Sequence, residues 1–192
     1  MNQEFCKDVD AALKRIATHI RKTPVEFSHS MSNSSGSKVL LKLENFQVTG
    51  SFKARGAVNK MSLMAEENPE KIITASSGNH GSAVAYAASI LGLDTLIFLP
   101  ENVSSAKLNK IKQFGAKVDI KSKDAGNAEK AARAYALKHG YPYLSPYNDY
   151  DVIAGQGTIA AEVTQQTTGI DAVFIAVGGG GLISGIGGYL KQ

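Results

Sequence analysis

Cysteine is nearly missing from this sequence. Cys6 stands alone in 192 residues, so no internal disulfide framework can form, and a reducing, cytoplasmic setting is expected. The opening Met1-Asn2-Gln3-Glu4-Phe5 lacks the basic-then-apolar layout of a secretory signal. Long apolar runs are also missing. Stretches such as Ala83 to Ala88 fall far short of the roughly 20 residues a membrane span needs, which excludes a helical membrane protein. Charge of one sign is not concentrated anywhere: 21 Lys and Arg against 17 Asp and Glu leave a net charge of +4, spread along the chain. That distribution argues against nucleic acid as a partner and suits a small anionic ligand better. No Gly-Lys dipeptide occurs, which excludes a Walker loop, and no low-complexity tract or tandem repeat is visible.

What is present is alternation. Ile72-Ile73-Thr74-Ala75, Leu96-Ile97-Phe98-Leu99, Val118-Asp119-Ile120 and Tyr141-Pro142-Tyr143-Leu144 read as strands. Helical segments over Ser82–Leu91, Ser105–Phe114 and Asn127–His139 separate them. Each is followed by a glycine suited to a left-handed cap, Gly92, Gly115 and Gly140. Strand and helix at this short spacing predict a parallel sheet with helices on its faces. Around this block the patterning predicts a helix over Val9–Arg21, a strand over Val39–Leu43, a helix from Ser51 to Met64, and then a helix beginning near Thr158 and capped by Gly169. A buried strand over Ala172–Val177 and a last helix after the glycines complete the reading. Residues 1–70 and 149–192 are expected to form one domain, with 71–148 inserted as a smaller α/β domain.

Gly178, Gly179, Gly180 and Gly181 lie between the predicted buried strand and a helix. Without side chains, successive backbone amides can converge on one anion at a helix N-terminus. The dinucleotide spacing G-x-G-x-x-G fits nowhere across Gly178–Gly188, so a phosphate monoester is the better ligand. Ser76-Ser77-Gly78-Asn79-His80-Gly81 joins a strand to a helix and offers hydroxyls and amides at a second helix N-terminus, suited to a carboxylate. His80 has no second metal ligand at a recognisable spacing, and no metal site is expected.

Thr49-Gly50-Ser51 reads as a turn with Ser51 as helix cap, which puts Lys53 in the first helical turn, where the helix dipole disfavours a cation. A lone helical lysine is ordinarily a solvated surface residue. Here the dipole, the neighbouring Arg55 and a partly desolvated cleft would all favour the neutral amine, a form able to attack an aldehyde.

With these segments in hand, the sequence resembles the fold type II pyridoxal-phosphate (PLP) enzymes, and among them the serine/threonine dehydratase and serine racemase group. Lys42-Leu43-Glu44-Asn45-Phe46-Gln47 leading into Gly50-Ser51-Phe52-Lys53-Ala54-Arg55-Gly56 is similar to the Schiff-base segment, Ser76–Gly81 to the substrate-carboxylate loop, Gly178–Leu182 to the phosphate loop. Ile153-Ala154-Gly155-Gln156-Gly157-Thr158 is a fourth match. The cysteine-synthase and threonine-synthase branches fit less well, since they typically carry Lys-Asp-Arg where this chain has Lys53-Ala54-Arg55.

The resemblance implies a tryptophan synthase β-like α/β fold of two parallel-sheet, three-layer domains, the larger one incomplete here. It implies that Lys53 holds PLP through a Schiff base, that Phe52 packs against the cofactor ring and that Asn79 bonds its 3′ oxygen. Gly178, Gly179, Gly180 and Gly181 with the Leu182 amide would hold the phosphate, and Ser76, Ser77, Gly78, Asn79 and His80 would form the substrate loop. Lys53 would take the α-proton, and the products would be a 2-oxo acid and ammonia from L-threonine or L-serine. Ser77 stands where racemases of the group carry a serine acting on the opposite cofactor face, and where many threonine dehydratases carry alanine, so racemisation stays open beside elimination. A homo-oligomer, dimer or tetramer, is the family expectation. Family members are considerably longer. The part this sequence does not match includes the rest of the large sheet, the residue that meets the pyridine nitrogen and the divalent-cation site of some members. A fragment, or a shortened homologue that is inactive or completed by another chain, with little turnover of its own, is therefore expected as well.

Overall fold

Periodic burial sets the first helix of the computed structural model, which describes residues 3–191. Met1 and Asn2 of the leader reading, and Gln192 at the end of the predicted last segment, lie outside the described residues. Helix α1 (Gln3–Ile16) buries Phe5, Val9, Ala12 and Ile16, one stripe at helical spacing. It starts earlier and ends earlier than the predicted Val9–Arg21. Strands β1 (Val25–Phe27) and β2 (Leu40–Lys42) pair antiparallel, with the short helix α2 (His29–Ser35) between them. A 3-10 turn over Glu44–Phe46 then leads to α3 (Lys53–Glu66).

The central block folds as predicted in kind. Strands β3 (Ile72–Ala75), β4 (Thr95–Pro100) and β5 (Lys117–Ser122) form a parallel sheet in the order β3-β4-β5. Helices α4 (Asn79–Leu91), α5 (Ser105–Lys112) and α6 (Ala125–His139) connect and follow them. Gly92, Gly115 and Gly140 all adopt positive φ just beyond these helices. Alternate strand residues face opposite layers. Ile72, Ile97 and Leu99 pack with α4 and Ile111 of α5, whereas Ile73 and Phe98 pack against Ala128, Ala132 and Ala136 of α6. The predicted fourth strand at Tyr141–Leu144 shrinks to a single parallel bridge, Ile73 to Tyr143.

Helix α7 (Tyr150–Gln166) corrects one boundary. It begins at Asp149, whose side chain accepts from the Val152 amide, rather than near Thr158. It ends at Thr167, so Gly169, although left-handed, lies beyond its cap. Helix α8 (Gly181–Leu190) follows the glycines. These helices cross closely. A Cβ on Gly56 of α3 would stand 2.7 Å from the Val152 carbonyl of α7, and one on Gly185 of α8 would stand 2.5 Å from the Ile153 carbonyl. Only glycine lets the backbones approach so far. The largest buried cluster is continuous across this helical layer and the central block, joining Ile16, Val58 and Met61 to Ile72, Val84 and Ile97.

The predicted buried strand Ala172–Val177 is overturned. The segment forms no strand, and Phe174 is 98% and Val177 65% exposed. Its side chains are of strand type, but a strand exists only by pairing, and among the described residues no neighbouring strand lies beside it. Outside the central block the strands found among the described residues are β1 and β2, paired antiparallel, so the second parallel sheet of the expectation is not formed there.

Candidate cofactor and substrate site

Lys53 is the first residue of α3. Ser51 was expected at the cap position itself, which Phe52 occupies without a side-chain bond. The Ser51 hydroxyl nevertheless accepts from the Lys53 amide at 3.3 Å, so the serine stabilises the helix start from one residue further back. The Lys53 side chain is half-buried. Its Nζ donates to the Pro146 carbonyl at 2.6 Å and lies 5.3 Å from the Phe52 ring centroid. Burial pushes its pKa below the ordinary lysine value.

Arg55 does not contribute to that shift as the sequence reading expected. The guanidinium is 0% exposed and donates to Glu44 at 2.8 Å from both Nε and Nη2 and to Glu162 at 2.8 and 2.9 Å. Its charge is matched by carboxylates, and desolvation alone acts on Lys53. Lys42 joins the same group through Glu162, giving two cations and two anions between β2, α3 and α7.

The Ser76–Gly81 turn caps α4. The Ser76 hydroxyl accepts from the Gly78 amide at 3.2 Å, and Asn79, exposed, begins the helix. Ser77 is half-buried in the same turn. His80 points inward. Its Nε2 lies 3.1 Å from the Thr74 hydroxyl, whose single proton goes to the Leu144 carbonyl at 2.8 Å. With that proton committed, Nε2 is the donor in this bond. Burial, with the Lys53 charge nearby, lowers the His80 pKa to about 3. The imidazole is thus engaged in the core, and what His80 offers a ligand is its backbone amide in the first turn of α4.

The glycine run divides by position. Gly180 adopts φ +91, which a side chain would strain. At Gly179 an added methyl would overlap the Tyr147 ring, and at Gly181 it would meet the Tyr147 Cα at 3.1 Å. Gly178 faces open space. One side of the loop is thus closed by Tyr147, and the side at Gly178 is free for a ligand at the N-terminus of α8. Leu182, Ile159, Ile186 and Phe52 pack together, which ties the loop's helix to the Lys53 segment.

The structure links Lys53 and Phe52 to the glycine loop through Pro146, Tyr147 and the α8 contacts, and ties His80 of the Ser76–Gly81 turn, through Thr74, to the Leu144 carbonyl just before Pro146. A half-buried amine that no carboxylate pairs among the described residues, with an open glycine cradle close by, fits a phosphorylated aldehyde such as PLP. No group of three or more His, Cys, Asp or Glu side chains able to hold a metal occurs among the described residues, and no helix there is long and apolar enough to cross a membrane. Pro146 and Tyr147 were missed in the sequence. Their only local signal is a proline and an aromatic in the loop after Leu144, and their role depends on contacts with residues far away along the chain.

Comparison with known proteins gives the family and the fold. The family profile described as pyridoxal-phosphate dependent enzyme matches residues 16–192. The L-threonine dehydratase catabolic TdcB of Staphylococcus aureus (strain USA300) is 43% identical over 187 residues, 96% of this chain and 54% of the relative. The chain spans about half the length of the curated relatives it matches. Among solved structures, the processed form of threonine deaminase isoform 2 from Solanum lycopersicum superposes with a TM-score of 0.94 at 34% identity, over 100% of this chain and 53% of that one. Serine racemase from Dictyostelium discoideum gives a TM-score of 0.89 at 38% identity, over 97% and 61%. The fold is that shared by these structures.

Proposed function

The chain belongs to the pyridoxal-phosphate dependent enzymes, and from that premise we propose that it carries the lysine, carboxylate loop and phosphate loop for α,β-elimination of L-threonine or L-serine to a 2-oxo acid and ammonia. The observation that carries the reading is Lys53: a half-buried amine with a lowered pKa, linked through the Pro146–Tyr147 turn to an open glycine loop. Similarity to threonine dehydratase and threonine deaminase supports the reaction class.

When bound, the cofactor supplies an electron sink for the bonds at the substrate's α-carbon. The rest falls to the chain. Gly178–Gly181 and the Leu182 amide seat the phosphate, and Phe52 lies beside the Lys53 head. Ser76, Ser77, Gly78, Asn79 and the His80 amide would take the substrate carboxylate at the N-terminus of α4, and Asn79 would also help to hold the cofactor. Lys53, whose pKa burial lowers, removes the α-proton as the β-hydroxyl departs. A second reading, racemisation, is favoured by Ser77, a half-buried hydroxyl in the same turn, and by the likeness to serine racemase. Lys53 and Ser77 would then act on opposite faces.

In this proposal residues 1–70 with 149–192 form the cofactor-binding unit and 71–148 the smaller one. The protein works in the cytoplasm as a homo-oligomer on a small amino acid, without nucleic acid or a membrane as partner. The 192-residue chain alone turns over little, because the segment 172–177 that leads into the glycine loop is exposed and pairs with no strand among the described residues.

The test is spectroscopic. With added PLP the parent develops an absorbance band near the visible edge, and borohydride fixes the label on Lys53, as read by peptide mass. Lys53→Ala shows neither. If the parent never shows the band, the reading fails for this chain. Strong release of pyruvate or 2-oxobutyrate by the purified chain would contradict the low-turnover proposal alone.

A further inference from the structure

The turn Ser145–Asn148 touches both halves of the candidate site. The Pro146 carbonyl accepts from the Lys53 amine at 2.6 Å. The next residue, Tyr147, lays its ring on Gly179, closely enough to leave no room for a methyl group there, and its backbone against Gly181, where a methyl group would be tightly packed at 3.1 Å. The turn is itself anchored at both ends. The Leu144 amide donates to the Ile73 carbonyl at 2.8 Å, the Asn148 amide to the Ser145 hydroxyl at 3.0 Å, and Asp149 caps α7. Tyr147 is nonetheless 38% exposed, so packing of the hydrophobic core does not account for its place.

We infer that Tyr147 is a positioning residue for the phosphate group: its ring braces the glycine loop at a set distance from the Lys53 amine, which the adjoining Pro146 carbonyl holds. The physical need is plain. Four consecutive glycines lose more backbone entropy on ordering than any other residues, and a loop that must first be ordered binds its anion less well. A ring against Gly179 removes that freedom on one face while Gly178 stays open on the other. Glycine at 179 is then required by Tyr147, and the ligand's seat is left to the open side. The inference rests on the proposed attachment at Lys53. In that step the neutral amine condenses with the aldehyde: a C=N bond forms, the C=O bond breaks, and the oxygen leaves as water with both amine hydrogens.

Two aldehydes separate the parts. PLP carries the phosphate, and pyridoxal is the same aldehyde without it. Labelling at Lys53 by each, fixed with borohydride and read by peptide mass, gives a ratio of half-saturating concentrations. Tyr147→Ala is expected to weaken labelling by PLP about tenfold, equivalent to about 1.4 kcal/mol, and to change labelling by pyridoxal less than about twofold. Tyr147→Phe keeps the ring and is expected to match the parent with both. General damage to the fold would weaken both aldehydes together, so an equal loss with PLP and pyridoxal overturns the inference, as does no loss with PLP. A third arm uses the steric contact. Gly179→Ala is expected to impair PLP labelling selectively, and adding Tyr147→Ala to it is expected to recover part of that loss, since the methyl group and the ring can no longer collide. Losses that simply multiply would also overturn it. Failure of both aldehydes to label Lys53 in the parent instead removes the cofactor reading, and the inference falls with it.

Discussion

Arg55 and Glu162 lock α3 to α7 through a two-pronged ion pair, Nη1 to Oε1 at 2.8 Å and Nη2 to Oε2 at 2.9 Å, with the arginine shut off from solvent. Glu44 accepts from Nε and Nη2, and the Thr158 hydroxyl accepts the last donor, from Nη1. A planar fork satisfies two carboxylates at once, which a lysine ammonium could not do from the same position. Lys53 stands two residues before this anchor, so the network also fixes the start of its helix.

Replacing Arg55 with Met is expected to cost about 3–5 kcal/mol, the penalty for leaving buried carboxylates without their partner. Arg55→Lys should recover only part of it. Urea unfolding followed by circular dichroism measures both, and a loss below about 1 kcal/mol for Arg55→Met would show that the network is dispensable.

His80 predicts an acid-side dependence of stability. It takes up a proton near its ordinary 6.5 when unfolded but only at about 3 when folded. The unfolded chain therefore binds more protons between those values. Stability from this residue is fully present above pH 6.5 and declines as the pH falls through that window. Glu162 and Asp94, whose pKa values are lowered by their cationic partners, act below their ordinary 4.5 and 3.8. Between pH 6.5 and 4.5 the slope should shrink in His80→Asn relative to the parent. Equal slopes in urea titrations of the two proteins would refute the assignment.

The helix crossings predict opposite signs for one kind of substitution. Gly56→Ala drives a methyl group against the Val152 carbonyl and is expected to cost about 1–3 kcal/mol. Gly187→Ala, in α8 with nothing nearby for the methyl to meet, should instead stabilise by up to about 1 kcal/mol. Thermal midpoints would fall for the first and rise for the second.

Phe174 makes the exposed segment testable. At 98% exposure its ring contributes almost nothing to this chain's own packing. Phe174→Asp should change unfolding stability by less than about 0.5 kcal/mol while reducing self-association, because it breaks an exposed apolar strand-like edge. Light scattering against concentration measures the second effect. A large loss of stability would mean that the ring is buried in solution.

Much of the fold could be read directly because its signals are local. Glycine caps, alternating strand residues and the turn at Ser76–Gly81 depend on neighbours a few positions away, and the central block followed them. The start of α7 was not read from the sequence: Asp149 caps it through the Val152 amide, well before Thr158. Arg55 was misjudged because an arginine beside a lysine looks like a field source until Glu44 and Glu162, 11 residues before it and 107 after it, are brought onto it. Ala172–Val177 was misjudged for the complementary reason: its composition is right for a strand, but the partner that would make it one lies outside the segment.

The order of residues by itself determined the α/β alternation, the glycine-capped ends of α4 and α6, the glycine run and the place of Lys53 at a helix start, because each follows from backbone preferences over a turn or two of chain. The tertiary structure alone decided that Arg55 is a buried anchor, that His80 faces the core, that Tyr147 closes one side of the glycine loop and that 172–177 stays unpaired. Those outcomes depend on burial, charge pairing and strand partners supplied by distant residues, and such contacts exist only once the chain has closed on itself.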